Sequence, residues 1–99
     1  MKLDLAAKAF KELGHPSRLN IFRYLVKAGD EGVAVGDLQQ ALKIPNSTLS
    51  HHISALVAAG LMLQRRDGRT LYCIPQYKTL NELIDFLLKE CCQGNYPSE

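Results

Sequence analysis

Residues 45–54 read Pro45-Asn46-Ser47-Thr48-Leu49-Ser50-His51-His52-Ile53-Ser54. Leu49, Ile53, Leu56 and Val57 recur at offsets 0, 4, 7 and 8, one face of a helix over residues 47–59. Asn46 is placed to cap it and Gly60 to stop it. Opposite the apolar stripe lie Ser47, His51 and Ser54, with Thr48 and Ser50 on its shoulders. His52 falls nearer the apolar edge and reads as a half-buried structural histidine. A helix with short hydrogen-bonding side chains on one face suits a surface covered in donors and acceptors. Its alternative is a merely solvated face.

Working backward from this helix, Lys43 to Asn46 makes a tight turn, preceded by a short helix from Gly36 to Leu42 with Leu38, Ala41 and Leu42 inward. Val33-Ala34-Val35 is β-prone and long enough for a small strand. Gly29 to Gly32 is a turn. From Pro16 to Ala28 a helix carries the stripe Leu19, Phe22 and Val26, widened by Ile21 and Leu25, with Pro16 at its first position. His15 reads as structural. Residues 3–13 place Ala6, Ala9, Phe10 and Leu13 on one face, and Gly14 ends that helix.

Working forward, Leu61–Arg66 and Thr70–Ile74 read as strands joined at Asp67-Gly68, a two-residue hairpin signal. Leu80, Leu83, Ile84, Leu87, Leu88 and Cys91 then repeat at offsets 0, 3, 4, 7, 8 and 11, a wide stripe on a last helix. Two helices around a tight turn, followed by a hairpin, predict a winged helix-turn-helix. The class is mainly α, about five helices plus a two-stranded wing. Residues 1–92 form one DNA-binding and dimerisation domain, and residues 93–99 a flexible tail. The second helix of the pair would enter a major groove, with Ser47, Thr48, Ser50, His51 and Ser54 meeting bases or phosphates. Arg65, Arg66 and Arg69 would hold the hairpin on the DNA backbone or in the minor groove.

Composition agrees with a globular chain. Of 99 residues, 46% are hydrophobic and 22% charged, so disorder is not expected. A chain this short buries only about two thirds of its unfolded surface, and a dimer would hide more. The net charge is only +2. What matters is that residues 64–69 hold three arginines against one aspartate, whereas residues 82–99 hold one lysine against four acids. No apolar run approaches the roughly 18 residues of a membrane span, and the N-terminus lacks a signal-peptide core. The chain therefore reads as cytoplasmic, where Cys73, Cys91 and Cys92 are packing residues, soft-ligand donors or redox groups rather than a disulfide framework. No nucleophile, base and orienting group cluster together, and no phosphate loop appears. Neither an enzyme nor a catalytic cofactor is expected.

The chain resembles the ArsR family of small bacterial repressors. The likeness rests on Leu13-Gly14-His15-Pro16-Ser17-Arg18-Leu19-Asn20-Ile21, on Ser47-Thr48-Leu49-Ser50-His51-His52-Ile53, and on Leu56-Val57-Ala58-Ala59-Gly60-Leu61 leading to Arg65-Arg66-Asp67-Gly68-Arg69-Thr70-Leu71-Tyr72. It spans roughly residues 5–92. The resemblance implies a homodimer through the first and last helices that binds an imperfect palindrome and leaves DNA on binding an inducer. Two familiar metal sites do not carry over. Residues 33–38 lack the Cys-x-Cys of arsenite and soft-metal sensors, and the last helix has no histidine for the zinc pattern. A subset of the family is similar in carrying a vicinal cysteine pair at the end of the last helix and senses trivalent arsenic. Cys91 and Cys92 match it. Arsenite wants a third thiolate, which Cys73 supplies only if the wing strand lies near that end; a methylated arsenical needs two. Two readings stand beside this one: a thiol-redox switch on the same scaffold, and an interaction module that keeps the fold without binding DNA.

Overall fold

The computed structural model describes residues 1–94. Most of the tail assigned to residues 93–99 therefore lies outside the described residues. The chain order is α1 (Leu3–Leu13), α2 (Pro16–Ala28), β1 (Val33–Ala34), α3 (Val35–Leu42), α4 (Asn46–Ala58), β2 (Met62–Asp67), β3 (Thr70–Pro75) and α5 (Tyr77–Leu88). The wing has three strands rather than two, in the order β1-β3-β2, antiparallel throughout. The β-prone Val33-Ala34 pairs with Cys73 and Tyr72, and Val35 opens α3 instead of extending the strand.

One core joins all these elements. Ala6 and Ala9 of α1, Ile21, Phe22 and Leu25 of α2, Leu38 of α3, Leu49, Ile53 and Leu56 of α4, Met62 and Cys73 of the sheet, and Leu83 of α5 are buried together. Each leucine taken fully out of water contributes about 1.5–3 kcal/mol. Three apolar assignments move. In α2 the core is made by Ile21, Phe22 and Leu25, while Leu19 is half exposed. Leu19 instead lines an open apolar groove of about 390 Å³ with Leu13, Phe22, Val26 and Leu80. Ala41 and Val57 are also exposed. The buried face of α4 is thus turned away from Val57, at one edge of the stripe, and toward His52, at the opposite edge.

The ends of α4 are set differently. At its start, Pro45 occupies the cap and Asn46 is already helical, with no side-chain cap, which corrects the expected role of Asn46. Pro45 still contributes its carbonyl, which accepts from Leu49 N–H at 2.9 Å. At its end, Gly60 takes φ +77°, Gly60 N–H donates to Val57 O and Leu61 N–H to Leu56 O, both at 3.0 Å. This pair of bonds is a Schellman cap, closed by the buried contact of Leu61 with Leu56. It aims the chain directly into the wing.

Candidate nucleic-acid interface and thiol pair

α4 exposes Ser47, Thr48, Ser50, His51 and Ser54, while Leu49, His52, Ile53 and Leu56 face inward. The five polar side chains therefore lie on a helix surface left open among the described residues. β2 runs from the capped end of this helix. Its register pairs Gln64 with Cys73, Arg65 with Tyr72, Arg66 with Leu71 and Asp67 with Thr70. The turn is thus Gly68-Arg69, one residue later than expected. Gly68 has φ +62° and Arg69 has no positive φ, the pattern of a type II′ hairpin.

This register separates the three wing arginines. Side chains alternate along a strand, so Arg65 and Arg66 point to opposite faces, and Arg69 stands at the tip. Arg65 lies over the Tyr72 ring, 5.2 Å from its centroid. That cation–π contact restrains the side chain while leaving its charge exposed.

A polar network that sequence reasoning missed ties α4 to α1 and α2. His52, only 5% exposed, accepts a hydrogen bond at Nδ1 from Arg18 Nε at 3.0 Å. Arg18 Nη1 is ion-paired with Glu12 Oε1. The His15 ring centroid lies 4.6 Å from that of His52. His15 is itself the cap of α2, its Nδ1 accepting from Ser17 N–H at 3.1 Å. Burial holds the His52 imidazolium form down, and His15, Arg18 and His51 add to the shift. The available signal was Glu12 and Arg18 flanking His15-Pro16 at a helix junction, two opposite charges beside a histidine.

The thiols fall into two settings. Cys73 is fully buried in β3, and Gln64 Nε2 approaches its Sγ at 3.8 Å. Burial pushes its thiol up, against a smaller opposing effect of Gln64. Cys91 and Cys92 are exposed, with their Sγ atoms 2.7 Å apart. Their backbone differs from the expected long helix. α5 ends at Leu88, Cys91 N–H donates to Leu88 O at 2.8 Å, and Glu90 and Cys92 take φ +61° and +66°. The two left-handed residues remove the wide separation that adjacent side chains have on an intact helix. Among the described residues no three His, Cys, Asp or Glu side chains form a metal-ligating group. Cys73 belongs to the core and the pair to the surface.

Residues 13–65 match the family described as "Helix-turn-helix domain". An HTH-type transcriptional regulator of Methanocaldococcus jannaschii is 37% identical over 87% of this chain and 98% of its own length. A candidate arsenical resistance operon repressor of Halobacterium salinarum is 34% identical over 88% of this chain and 72% of its own. The chain belongs to the ArsR family. Its fold also matches the homodimeric winged helix-turn-helix domain of a Mycobacterium bovis protein, with a TM-score of 0.71 and 24% identity over 98% of this chain and 90% of that one. As a family member it is a DNA-binding transcriptional regulator and not an enzyme. No helix among the described residues is long and apolar enough to cross a membrane.

Proposed function

We propose that this ArsR-family regulator is a homodimeric repressor that leaves its operator when Cys91 and Cys92 bind trivalent arsenic. The observation that carries the reading is the side-by-side placement of two exposed thiols on a backbone whose left-handed residues bring them together. Soft thiolate donors suit a soft arsenic centre. Each S–H loses its proton to an arsenic-bound hydroxyl, which departs as water while an As–S bond forms; arsenic stays trivalent. The hydrogen bond with Cys92, and then slight desolvation, raise the Cys91 thiol above its ordinary range. A thiol that keeps its proton is a poor peroxide sensor, because oxidation runs through the thiolate. The relative from Halobacterium salinarum adds support.

In this reading Ser47, Thr48, Ser50, His51 and Ser54 meet bases and phosphates, and Arg69 with one of Arg65 and Arg66 meets the backbone. Two copies pair through α1 and α5, and the protein works in the cytoplasm, where its thiols stay reduced. Binding at the end of α5 would change how two subunits sit together, and so the spacing of two α4 helices that must match sites about 34 Å apart. A hundredfold loss of DNA affinity needs about 2.7 kcal/mol of discrimination between the two states.

The test is release of reduced protein from the DNA upstream of its own gene, read by fluorescence anisotropy during titration with arsenite and methylarsenite. The wild type and Cys73→Ser should be released. Cys91→Ser and Cys92→Ser should bind DNA and stay bound. Full retention of the wild type with both arsenicals would reject the reading. Reversible release by mild oxidant, with a mass loss of two hydrogens, would support the thiol-redox alternative.

A further inference from the structure

The part-buried network behind α4 has no part in the thiol reading, yet it holds the helix that presents the DNA-facing side chains. We propose that Glu12, Arg18 and His52 form a proton-sensitive strut that positions α4 for DNA, with neutral His52 as its required state. The inference rests on α4 being the helix that meets DNA.

The geometry fixes the protonation state. His52 Nδ1 accepts from Arg18 Nε, so Nδ1 presents a lone pair and the ring hydrogen sits on Nε2. A second proton could enter only at Nδ1, where it would replace the accepting lone pair with a donor facing the Arg18 guanidinium. Two donors cannot share that contact. The strut therefore has two arrangements: closed with neutral His52, and opened when His52 is charged.

The surroundings all favour the neutral form except one. From α2 and its cap come Arg18 and the His15 ring, from α4 itself His51, and from α1 Glu12. Glu12 alone is negative, and its carboxylate is already engaged by Arg18. β2, also packed on α4, begins with the uncharged Met62 and Leu63. The closed state thus holds the His52 proton affinity below its ordinary value of about 6.5. The sign follows: an opened or unfolded state binds the proton more readily. Closure is unopposed above about pH 6.5 and is progressively disfavoured as pH falls below it.

For DNA this runs against the usual trend. A phosphate backbone attracts protons to nearby histidines and ordinarily tightens binding as pH falls. The exposed His51 would follow that ordinary trend, whereas His52 is screened inside and acts through the helix. The two can be separated by ratio. His52→Asn keeps an acceptor oxygen where Nδ1 stood and cannot titrate.

The experiment measures the dissociation constant for the DNA upstream of the chain's own gene at pH 7.5 and 5.5, at fixed salt. The affinity of His52→Asn relative to wild type should rise by about threefold or more on acidification. A structural role alone would lower the variant's affinity equally at both values. An unchanged ratio overturns the proposal. A second measurement needs no variant. If protonation of His52 opposes DNA binding, DNA must by linkage oppose protonation of His52. Imidazole nitrogen NMR should therefore show His52 in the Nε2–H form at pH 7.5, titrating at lower pH in the complex than in free protein. A shift to higher pH in the complex overturns the strut. Failure of the wild type to bind duplex at pH 7.5 would instead remove the DNA reading on which it stands.

Discussion

Gly32 sits where a side chain has no room. Its φ is +81°, and a Cβ there would lie 2.6 Å from the Cys73 carbonyl oxygen and 2.8 Å from Ile74 Cγ1. One clash is with backbone, so it cannot be relieved by a rotamer change. The position lets the loop after α2 press against β3, which is what brings Val33 into register with Cys73. Gly32→Ala should therefore cost at least about 1–3 kcal/mol, combining unfavourable φ with displaced backbone. Thermal unfolding checks this, with Gly29→Ala as the comparison. Gly29 also has positive φ, at +96°, but open space where a Cβ would go. Equal losses at the two glycines would mean that φ alone matters and that the contact with β3 does not.

At the scale of elements, the hairpin register makes the wing two-faced. A duplex lying along one face meets Arg69 at the tip and only one of Arg65 and Arg66. Each lost phosphate contact lowers the slope of log affinity against log salt by about one. Arg69→Ala should show that decrease, and so should one of Arg65→Ala and Arg66→Ala, but not both. Equal decreases at both would show that the wing rotates into the groove or is met on two faces. The helices were legible because an apolar periodicity of 3.6 follows from backbone geometry alone, and the hairpin because Asp67-Gly68 is a turn signal between two strand-like runs. The inaccuracies arose where two periodic solutions are close. Val57 and His52 both border the stripe of α4, and an apolar residue was the natural choice for the inside. His52 goes in because Arg18, 34 residues away in sequence, supplies the partner its ring nitrogen needs. The apolar repeat likewise could not reveal that α5 ends at Leu88, because Cys91 continues the spacing while Glu90 and Cys92 turn left-handed.

For the whole molecule, a single chain leaves too much apolar surface uncovered. Leu3 and Leu5 of α1 and Ile84, Leu87 and Leu88 of α5 are all exposed, with Leu87 at 67% and Leu3 at 69%. The radius of gyration is 15.9 Å, against about 13 Å for a compact chain of this length. The apolar repeat on α5 is thus a real face, but only Leu83 of it is buried within the chain. A two-fold pairing of these helices would cover the same residues on both copies, so one substitution is felt twice. Burying one leucine contributes about 1.5–3 kcal/mol, and two copies of Leu87→Asp should weaken dimerisation by at least about a hundredfold, before the cost of burying the new charges. Sedimentation equilibrium at micromolar concentration should find wild-type dimer and variant monomer. Circular dichroism should show the same helix content in both, because Leu87 lies outside the core of the single chain. Anisotropy should then show the variant losing affinity for a palindromic site far more than for a half-site. If Leu87→Asp stays dimeric with unchanged affinity, the exposed face of α5 covers something other than a second copy. A signal at the end of α5 would then have no route to the spacing of the two α4 helices.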